Sequence, residues 1–145
     1  SMNPPSISLA IRKERHTLIG INEKREFSVN VPNADMAKKV DFCGIYSGSS
    51  HDKSGLFTSF YGELAGAPLV AECPVNLECS LEHMLDLGSH FLVVGQIRQT
   101  HVSKSCIDGK SIDPARVDPL VYTGGTHVYQ RLGEVVGKAF SMGKE

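Results

Sequence analysis

Apolar and polar residues alternate along two short stretches of this chain, and a period of two is typical of β-strands with one buried face. The stretches are residues 6–11 and residues 26–31. Their apolar positions are Ile7, Leu9, Ile11, Phe27, Val29 and Val31. Pro32 ends the second stretch, because proline has no amide hydrogen to donate to a sheet. We expect a half-buried strand in each place.

The same alternation returns in residues 75–82, whose polar positions are predicted to form a solvent-exposed face. Those positions are Asn76, Glu78, Ser80 and Glu82. Residues 90–102 are the expected partner strand. Their continuously apolar part, residues 91–94, indicates a central strand that is buried on both faces. The two strands are predicted to form an antiparallel hairpin through residues 86–89.

Helical spacing is weaker and confined to two places. Residues 17–23 have the length of a short helix. A second helix is predicted from Asn33, a favourable N-cap residue, to the Ser- and Gly-rich residues 47–50 that end it. Residues 106–119 are predicted to be a long loop, and residues 120–122 and 127–131 short closing segments. These elements predict one domain over residues 1–145, a mainly β barrel with a few short helices.

Composition and charge narrow the classes of function. The chain has 145 residues and a formal net charge of -1, which gives no general attraction to nucleic acid. No apolar run approaches the roughly 20 residues needed to cross a membrane. Four cysteines are too few for a disulfide scaffold, so we expect reduced thiols and a cytoplasmic location. Ser1 before Met2 is typical of a residue left by removal of a tag.

A basic cluster follows the first predicted strand. It consists of Arg12, Lys13, Arg15, His16 and Thr17. Cationic side chains, a hydroxyl group and the free amides at the start of a helix together favour a phosphate group. A solvated charged turn explains the same pattern and is the more common outcome for such spacing.

A second cluster of small residues and one cation follows the second predicted helix. It consists of Cys43, Gly44, Ser47, Gly48, Asp52 and Lys53. Small residues let backbone amides approach a ligand, and a lysine can neutralise a phosphate. The spacing GxxxxGK[ST] is missing, so a nucleoside triphosphate is not indicated. A helix end followed by a flexible loop is the alternative interpretation.

Few other residues in the sequence indicate a binding, metal-ligating or catalytic role. Asn30 lies on the polar face of its strand, where its amide suits either the edge of a heteroaromatic ring or a cross-strand hydrogen bond. The six histidines have no HExxH spacing, and Cys73 and Cys79 do not form a CxxC pair, so we predict no metal site. No GxSxG sequence selects a nucleophile, and we assign no catalytic residue.

Taken in order, the segments of this chain resemble the flavin reductase-like family, especially its flavoredoxin branch. The resemblance rests on SISLAIRKERHT, FSVNVP, VDFCGIYSGSSHDKSGLF, APLVAECPVNLEC, HFLVVGQI, DPLVY and LGEVVGKAFSMGK. These segments span nearly all of the chain. Their joint order is more specific than any one of them.

The resemblance implies a split β-barrel that dimerises and holds FMN near the subunit interface. It implies that the cofactor-binding residues are among Arg12, Lys13, Arg15, Thr17, Asn30, Cys43, Gly44, Ser47, Gly48 and Lys53. His16 stands where the family often has an aromatic residue. The family's additional N-terminal strands are missing before Asn3, so we expect an open barrel that depends strongly on the homodimer.

The resemblance also implies electron transfer through non-covalently bound FMN, with NAD(P)H or a redox protein as the donor. An NAD(P)H-dependent flavin reductase is one hypothesis. A non-enzymatic FMN electron carrier is another, and the absence of a GxGxxG motif favours it. A relative that does not retain flavin is the third, because the missing strands supply part of the family's pocket.

Overall fold

The computed structural model describes residues 1–144, and most of the regular structure in them is β-strand. In chain order the elements are β1 Ser6–Arg12, α1 Thr17–Lys24, β2 Glu26–Val31, α2 Ala37–Ile45, β3 Ser59–Phe60, β4 Leu69–Val70, β5 Val75–Asp86, β6 His90–Val102, β7 Ile107–Asp108, β8 Ser111–Ile112, α3 Pro114–Val117, β9 Val121–Thr123 and β10 Val128–Gln130. The predicted mainly β fold with short helices is confirmed. None of the helices within residues 1–144 has the length and apolar character needed to cross a membrane.

A four-stranded antiparallel sheet in the order β1-β6-β5-β2 forms the body of the molecule. The β5–β6 hairpin was predicted and is confirmed, with Gly88 at a φ of +87° in its turn. Two irregularities in the pairing, after Glu78 and after Leu81, bend β5. The sheet therefore curls into half a barrel, and β1 and β2 are its edges.

The core lies between this curled sheet and α1. Leu18 and Ile21 of the helix pack with buried side chains of the sheet, which are Phe27, Cys79, Leu81 and Val93. Gly95 lets Phe27 approach the backbone of β6, since a Cβ there would come within 2.4 Å of the ring. The predicted central position of residues 91–94 is confirmed. Burial on both faces is not, because Val93 alone among them is fully buried.

The second helix has a different start from the predicted one. A 3₁₀ turn, Ala34–Met36, precedes α2, and Asn33 makes no side-chain capping bond. The amide of Ala34 donates to the carbonyl of Asp118 at 2.9 Å. Asn33 thus occupies the predicted N-cap position, but its side chain does not cap the helix, and its Oδ1 atom is buried without a partner in the described residues.

The polar face of β5 was predicted to be exposed, and this prediction is wrong for its first half, although Glu82 is exposed. Asn76 and Glu78 are 4% and 0% exposed. The covering segment consists of residues 60–68, which we call the strap. Its Leu64 amide donates to Glu78 Oε2 at 2.7 Å, and its Gly66 amide donates to Glu26 Oε2 at 2.7 Å. Two carboxylates of the sheet thus hold the strap.

The long loop predicted for residues 106–119 contains regular structure. β7 and β8 pair across a turn with Gly109 at a φ of +59°, and Asp113 caps the single turn of α3. Arg116 lies within ion-pair distance of both Asp108 and Asp113, which joins the two elements. The predicted closing segments pair with each other as β9 and β10, in a sheet of their own.

The Glu78 carboxylate has three kinds of neighbour. His101 Nε2 on β6 lies 2.5 Å from Glu78 Oε1, and the strap contributes the Leu64 amide. Gly62 of the strap sits so close that a Cβ would meet Oε1 at 1.9 Å. Burial acts to raise the pKa of Glu78, but the hydrogen bonds from His101 and the Leu64 amide outweigh it and hold the pKa below the usual 4.5. The group is therefore ionised in the folded protein at neutral pH.

Replacing Glu78 by Gln is expected to lower the free energy of unfolding by about 1.5–3 kcal/mol at neutral pH, because it removes a charged acceptor of hydrogen bonds. A depressed folded-state pKa means that the stabilisation is present above pH 4.5 and is lost as the pH falls below that value. Urea unfolding at several pH values should show a weaker acid loss of stability in Glu78→Gln than in the wild type. Glu82→Gln, an exposed change on the same strand, is the control. Equal pH dependence of the wild type and Glu78→Gln would contradict the assignment.

Candidate functional site

The junction of β1 and α1 gathers the basic cluster in one tight turn. The Arg15 amide bonds to the Arg12 carbonyl at 3.0 Å, and the Lys13 amide bonds to Ser89 in the β5–β6 hairpin at 3.2 Å. α1 then begins with no acidic side chain in its first turn and no side-chain cap at His16. Its N-terminal partial positive charge is therefore not offset within its own first turn.

The cations of this turn differ in how they are neutralised. Lys13 Nζ lies 2.6 Å from Asp86 Oδ2 and 5.0 Å from the centre of the Phe91 ring. The hydrogen bond from Lys13 holds the pKa of Asp86 below its usual value. Arg12 Nε is 3.5 Å from Glu14. Arg15 makes no ion pair or side-chain hydrogen bond with any residue of 1–144. Arg15 is thus the cation most available to an anion.

The loop after α2 meets this turn, so the two clusters that the resemblance assigns to one cofactor lie side by side. The amides of Ser50 and His51 both bond to the carbonyl of Ser47, which makes a compact turn. Gly48 lies against the imidazole of His16, since a Cβ at Gly48 would be 3.4 Å from His16 Cδ2. The loop and the turn are therefore in close contact at Gly48 and His16.

Two clefts open where the turn and the loop meet, and we call them the basic clefts. One has a volume of about 340 Å³ and is lined by Lys13, Glu14, Arg15, His16, Leu18, Ile19, Asn22, Ser49 and Phe91. The other has a volume of about 520 Å³ and is lined by Arg12, Glu14, Arg15 and Ser47. Arg15 and Glu14 border both. Of the predicted site residues, the basic clefts bring together Arg12, Lys13, Arg15, His16 and Ser47, with Gly48 behind His16.

Three other predicted residues line different clefts. Thr17 borders an apolar cleft of about 330 Å³ between α1, the sheet and the strap. Asn30 and Cys43 border another of about 230 Å³. The Asn30 side chain accepts from the Val70 amide and donates to Ser28, both at 3.0 Å. This internal bonding matches the structural alternative for Asn30, and its contact with a ligand stays a prediction.

Lys53 has a structural task in this arrangement. Its ammonium donates to the carbonyls of Cys43 at 3.2 Å and Tyr46 at 2.8 Å, where α2 ends. Cations are favourable at this end of a helix. Gly44, on the last turn of α2, has open space where a side chain would begin. Lys53 therefore fixes the start of the loop, and a direct role for either residue in binding stays a prediction.

Sequence reasoning did not single out several side chains at the site. Phe91 and Ser49 line the smaller basic cleft. Phe91 pairs in register with Ile11 at the end of β1, so the strand order, which the sequence does not state, was needed to find it. Along α2 and the loop, the rings of Phe42, Tyr46 and His51 pack in a row, with centroids 4.6 and 4.4 Å apart and planes tilted by 47° and 42°. The i, i+4 spacing of Phe42 and Tyr46 could have revealed the first contact.

The cysteines and the potential metal ligands of the described residues add no further feature to the candidate site. All four cysteines are free. Burial raises the pKa of Cys73 and of Cys79 to about 11, so both stay protonated at neutral pH and are poor nucleophiles. Within residues 1–144, His, Cys, Asp and Glu side chains form no group of three or more that could hold a metal ion.

An open antiparallel half-barrel with a cationic site beside one helix defines a split-barrel protein. A family model described as "Flavin reductase like domain" matches residues 1–130. The chain therefore belongs to the flavin reductase-like family, and the expected resemblance is confirmed.

Solved structures agree with this assignment. The chain is 39% identical to a flavoredoxin from Methanosarcina acetivorans, with a TM-score of 0.95 over 98% of this chain and 76% of that one. A flavoredoxin of Desulfovibrio vulgaris (Miyazaki F) is 34% identical, with a TM-score of 0.91 over 99% and 79%. An FMN-binding protein from Thermus thermophilus, 24% identical with a TM-score of 0.79 over 95% of this chain and 75% of that one, shares the fold.

Curated relatives are longer than this chain. An uncharacterized protein from Archaeoglobus fulgidus is 32% identical over 76% of the chain and 63% of its own length. Another, from Aeropyrum pernix, is 29% identical over 87% of the chain and 49% of its own length. The chain thus spans about half to 63% of the length of these relatives.

Replacing Lys53 by Met is expected to lower the free energy of unfolding by about 1–2 kcal/mol, because two carbonyls at the end of α2 lose a charged donor. Limited proteolysis should then cut residues 46–53 faster than in the wild type. Lys38→Met, at an exposed position of the same helix, is the matched control. Wild-type stability and cleavage rates in Lys53→Met would refute this structural role.

Proposed function

We propose that this chain is the FMN-binding part of a flavoredoxin-type flavoprotein, which passes electrons through non-covalently bound FMN. The single observation that carries the proposal is the unpaired Arg15 at the basic clefts of a chain that belongs to the flavin reductase-like family. FMN carries a phosphate and a planar ring system. A site for it needs cations at one place and flat apolar surface at another.

The residues fit the phosphate group. Arg15 offers an unshared guanidinium, and guanidinium groups match the oxygens of phosphate in pairs. Ser47 and Ser49 line the basic clefts with hydroxyl groups, and the start of α1 adds its partial positive charge. Glu14 borders both clefts, and its negative charge repels an anion. Binding of a phosphate therefore depends on the three cations around it, which are Arg12, Lys13 and Arg15.

The remaining predicted contacts have supporting roles in this proposal. His16 and Gly48 keep the loop against the turn, and Lys53 fixes the loop's start. Thr17 faces the apolar cleft, which Ile11, Phe27 and Pro68 also line. Asn30, Cys43 and Gly44 remain candidates that family resemblance alone supports.

Bound FMN would supply the redox chemistry, and the chain need not supply an acid or a base for it. The task of the chain's own residues would be to bind and orient the cofactor. Lys13 and Arg15 would hold negative charge at the basic clefts, while the strap and α1 line the apolar cleft between them. We assign no catalytic residue.

The donor of electrons separates two forms of the proposal. An NAD(P)H-dependent flavin reductase would admit the nicotinamide to the flavin. A non-enzymatic carrier would receive electrons from a redox protein such as a ferredoxin, and the lack of a GxGxxG motif in the sequence favours this form.

We also propose a homodimer, because β1 and β2 leave both edges of the sheet unpaired. The free cysteines support a reducing, cytoplasmic location.

Replacing Arg15 by Ala is expected to weaken FMN binding by about 10-fold to 100-fold, as for loss of one charge-assisted contact. Arg12→Ala should have a smaller effect, because Glu14 already shares the charge of Arg12. Titration followed by quenching of flavin fluorescence measures both. Arg98→Ala, an exposed arginine of β6, is the control. Unchanged affinity in Arg15→Ala would remove the phosphate assignment, and no FMN binding by the wild type would remove the proposed function.

Steady-state oxidation of NADH and NADPH in the presence of FMN separates the two forms. Turnover that saturates with the nicotinamide supports the reductase. Rapid reduction by a protein donor, with no turnover by either nicotinamide, supports the carrier. The reductase is the expected outcome, and the missing nicotinamide motif is what favours the carrier as the alternative. Arg15→Ala should lose either activity in proportion to its loss of bound FMN.

A further inference from the structure

Both ends of the strap are held at one place. β3 and β4 pair with each other, Ser59 with Val70 and Phe60 with Leu69, and we call this short pairing the stem. The Val70 amide also donates to Asn30 Oδ1 at 3.0 Å, which fixes the stem to β2. The strap is therefore the loop of a hairpin. Compact loops whose ends lie close together are frequently functional.

The strap rests on polar side chains of β2. Glu26 and Ser28 are two residues apart in that strand and so point to one face of the sheet. The Gly66 amide donates to Glu26 Oε2 at 2.7 Å, and the Ser28 hydroxyl donates to the carbonyl of Pro68. The spacing of two is the same in both segments. The second half of the strap thus runs beside β2 and is bonded to its side chains.

The tip of the strap is held by the two inner strands of the sheet. The Leu64 amide donates to Glu78 Oε2 on β5 at 2.7 Å. The side-chain amide of Gln99 on β6 donates to Glu63 Oε1 at 2.8 Å. Every second residue from Leu64 to Pro68 is therefore joined through its backbone to a side chain of the sheet.

Burial of apolar groups adds little to this attachment. Ala67 is the one residue of the strap that is fully buried, and its side chain is a single methyl group. A hydrogen bond that is lost on opening is replaced by one to water, so its net contribution is small. The carboxylates under the strap are also hydrated once water reaches them. The strap can therefore leave the sheet at a lower cost than a segment that is held by an apolar core.

Lifting the strap changes the apolar cleft directly. Gly66 and Pro68 line this cleft of about 330 Å³, together with Ile11 and Ile21. Glu26 lines it as well, so the carboxylate that holds the Gly66 amide belongs to the same cavity. A movement that breaks this bond removes one wall of the cleft.

We propose that the strap is a flap, which turns about the stem as one unit and thereby opens the apolar cleft. Glu26 and Glu78 are its latches, because each accepts an amide hydrogen from the strap. The latches then set how often the cleft widens. The inference goes beyond the proposed function, since it concerns access to the apolar cleft and needs no FMN at the basic clefts.

Hydrogen exchange of single amides, followed by NMR in the wild type and in Glu26→Gln, tests whether the strap opens as one unit. Gln keeps the size of the side chain but removes the charge to which the Gly66 amide bonds. We expect the Gly66 and Leu64 amides to exchange faster by the same factor, roughly 5-fold to 10-fold. The response of Leu64 is decisive, because its amide bonds to Glu78 and not to Glu26.

Two further variants complete this experiment. Ser28→Ala removes the bond to Pro68 and should also speed the exchange of both amides. Glu23→Gln, at an exposed position of α1, is the matched control and should leave both rates unchanged. Faster exchange at Gly66 alone would mean that the strap frays locally. Exchange of the strap amides only together with the slowest amides of β5 and β6 would mean that the strap opens only on global unfolding. Either result overturns the proposal.

Alkylation of a thiol placed under the strap measures access to the cleft. Ser28 lines the apolar cleft, and Ser28→Cys is a change of similar size. We expect iodoacetamide to modify this thiol faster when Glu26→Gln is added than when Glu23→Gln is added, by about the factor found for the amides. Mass spectrometry of the peptides separates this thiol from Cys43, which is partly exposed. Equal rates in the two double variants would show that the strap does not control the cleft, which also overturns the proposal.

Discussion

The buried carboxylate of Glu78 is the constraint on which the arrangement of the described chain depends. It stands on the central hairpin, faces the interior and accepts hydrogen bonds from His101 on one side and the strap on the other. A buried charge without such partners is strongly destabilising. The strap must therefore lie where it does, with a glycine at position 62. Gly66 and Pro68 then form one wall of the apolar cleft, so one ionised group on the sheet determines the shape of a cavity nearby.

The candidate site is built from loops that the sheet holds together. The turn after β1 is bonded to the β5–β6 hairpin through Lys13, and the loop after α2 is fixed by Lys53 and rests on His16. Charge and small side chains converge there because three separate segments end at one edge of the half-barrel. Because the chain belongs to the flavin reductase-like family, this edge is where we propose that FMN binds.

Local patterns predicted the strands and helices well. The bounds of β2 and the β5–β6 hairpin follow from alternation and from the turn at Gly88. The exposed face of β5 was mispredicted because Glu78 is polar and because its cover, the strap, lies 14 residues away from it in the chain at Leu64. No periodic pattern carries that information. Asn33 stands at the predicted N-cap position without a side-chain capping bond, and the amide that follows it is joined to Asp118 by a contact distant in sequence. Among the site residues, Arg12 to His16 could be placed together from their adjacency. The separation of Asn30 and Cys43 from them required the strand order.

The pairing of Lys13 with Asp86 has a consequence for any anion that enters the basic clefts. Lys13 is already satisfied by a carboxylate at 2.6 Å and by the face of Phe91. An anion in the basic clefts therefore shares the ammonium of Lys13 with Asp86, whereas Arg15 has no other partner within residues 1–144. Because the Lys13 charge is divided in this way, an anion beside it is held less strongly than one beside Arg15, and its arrival weakens the bond between the turn and the β5–β6 hairpin.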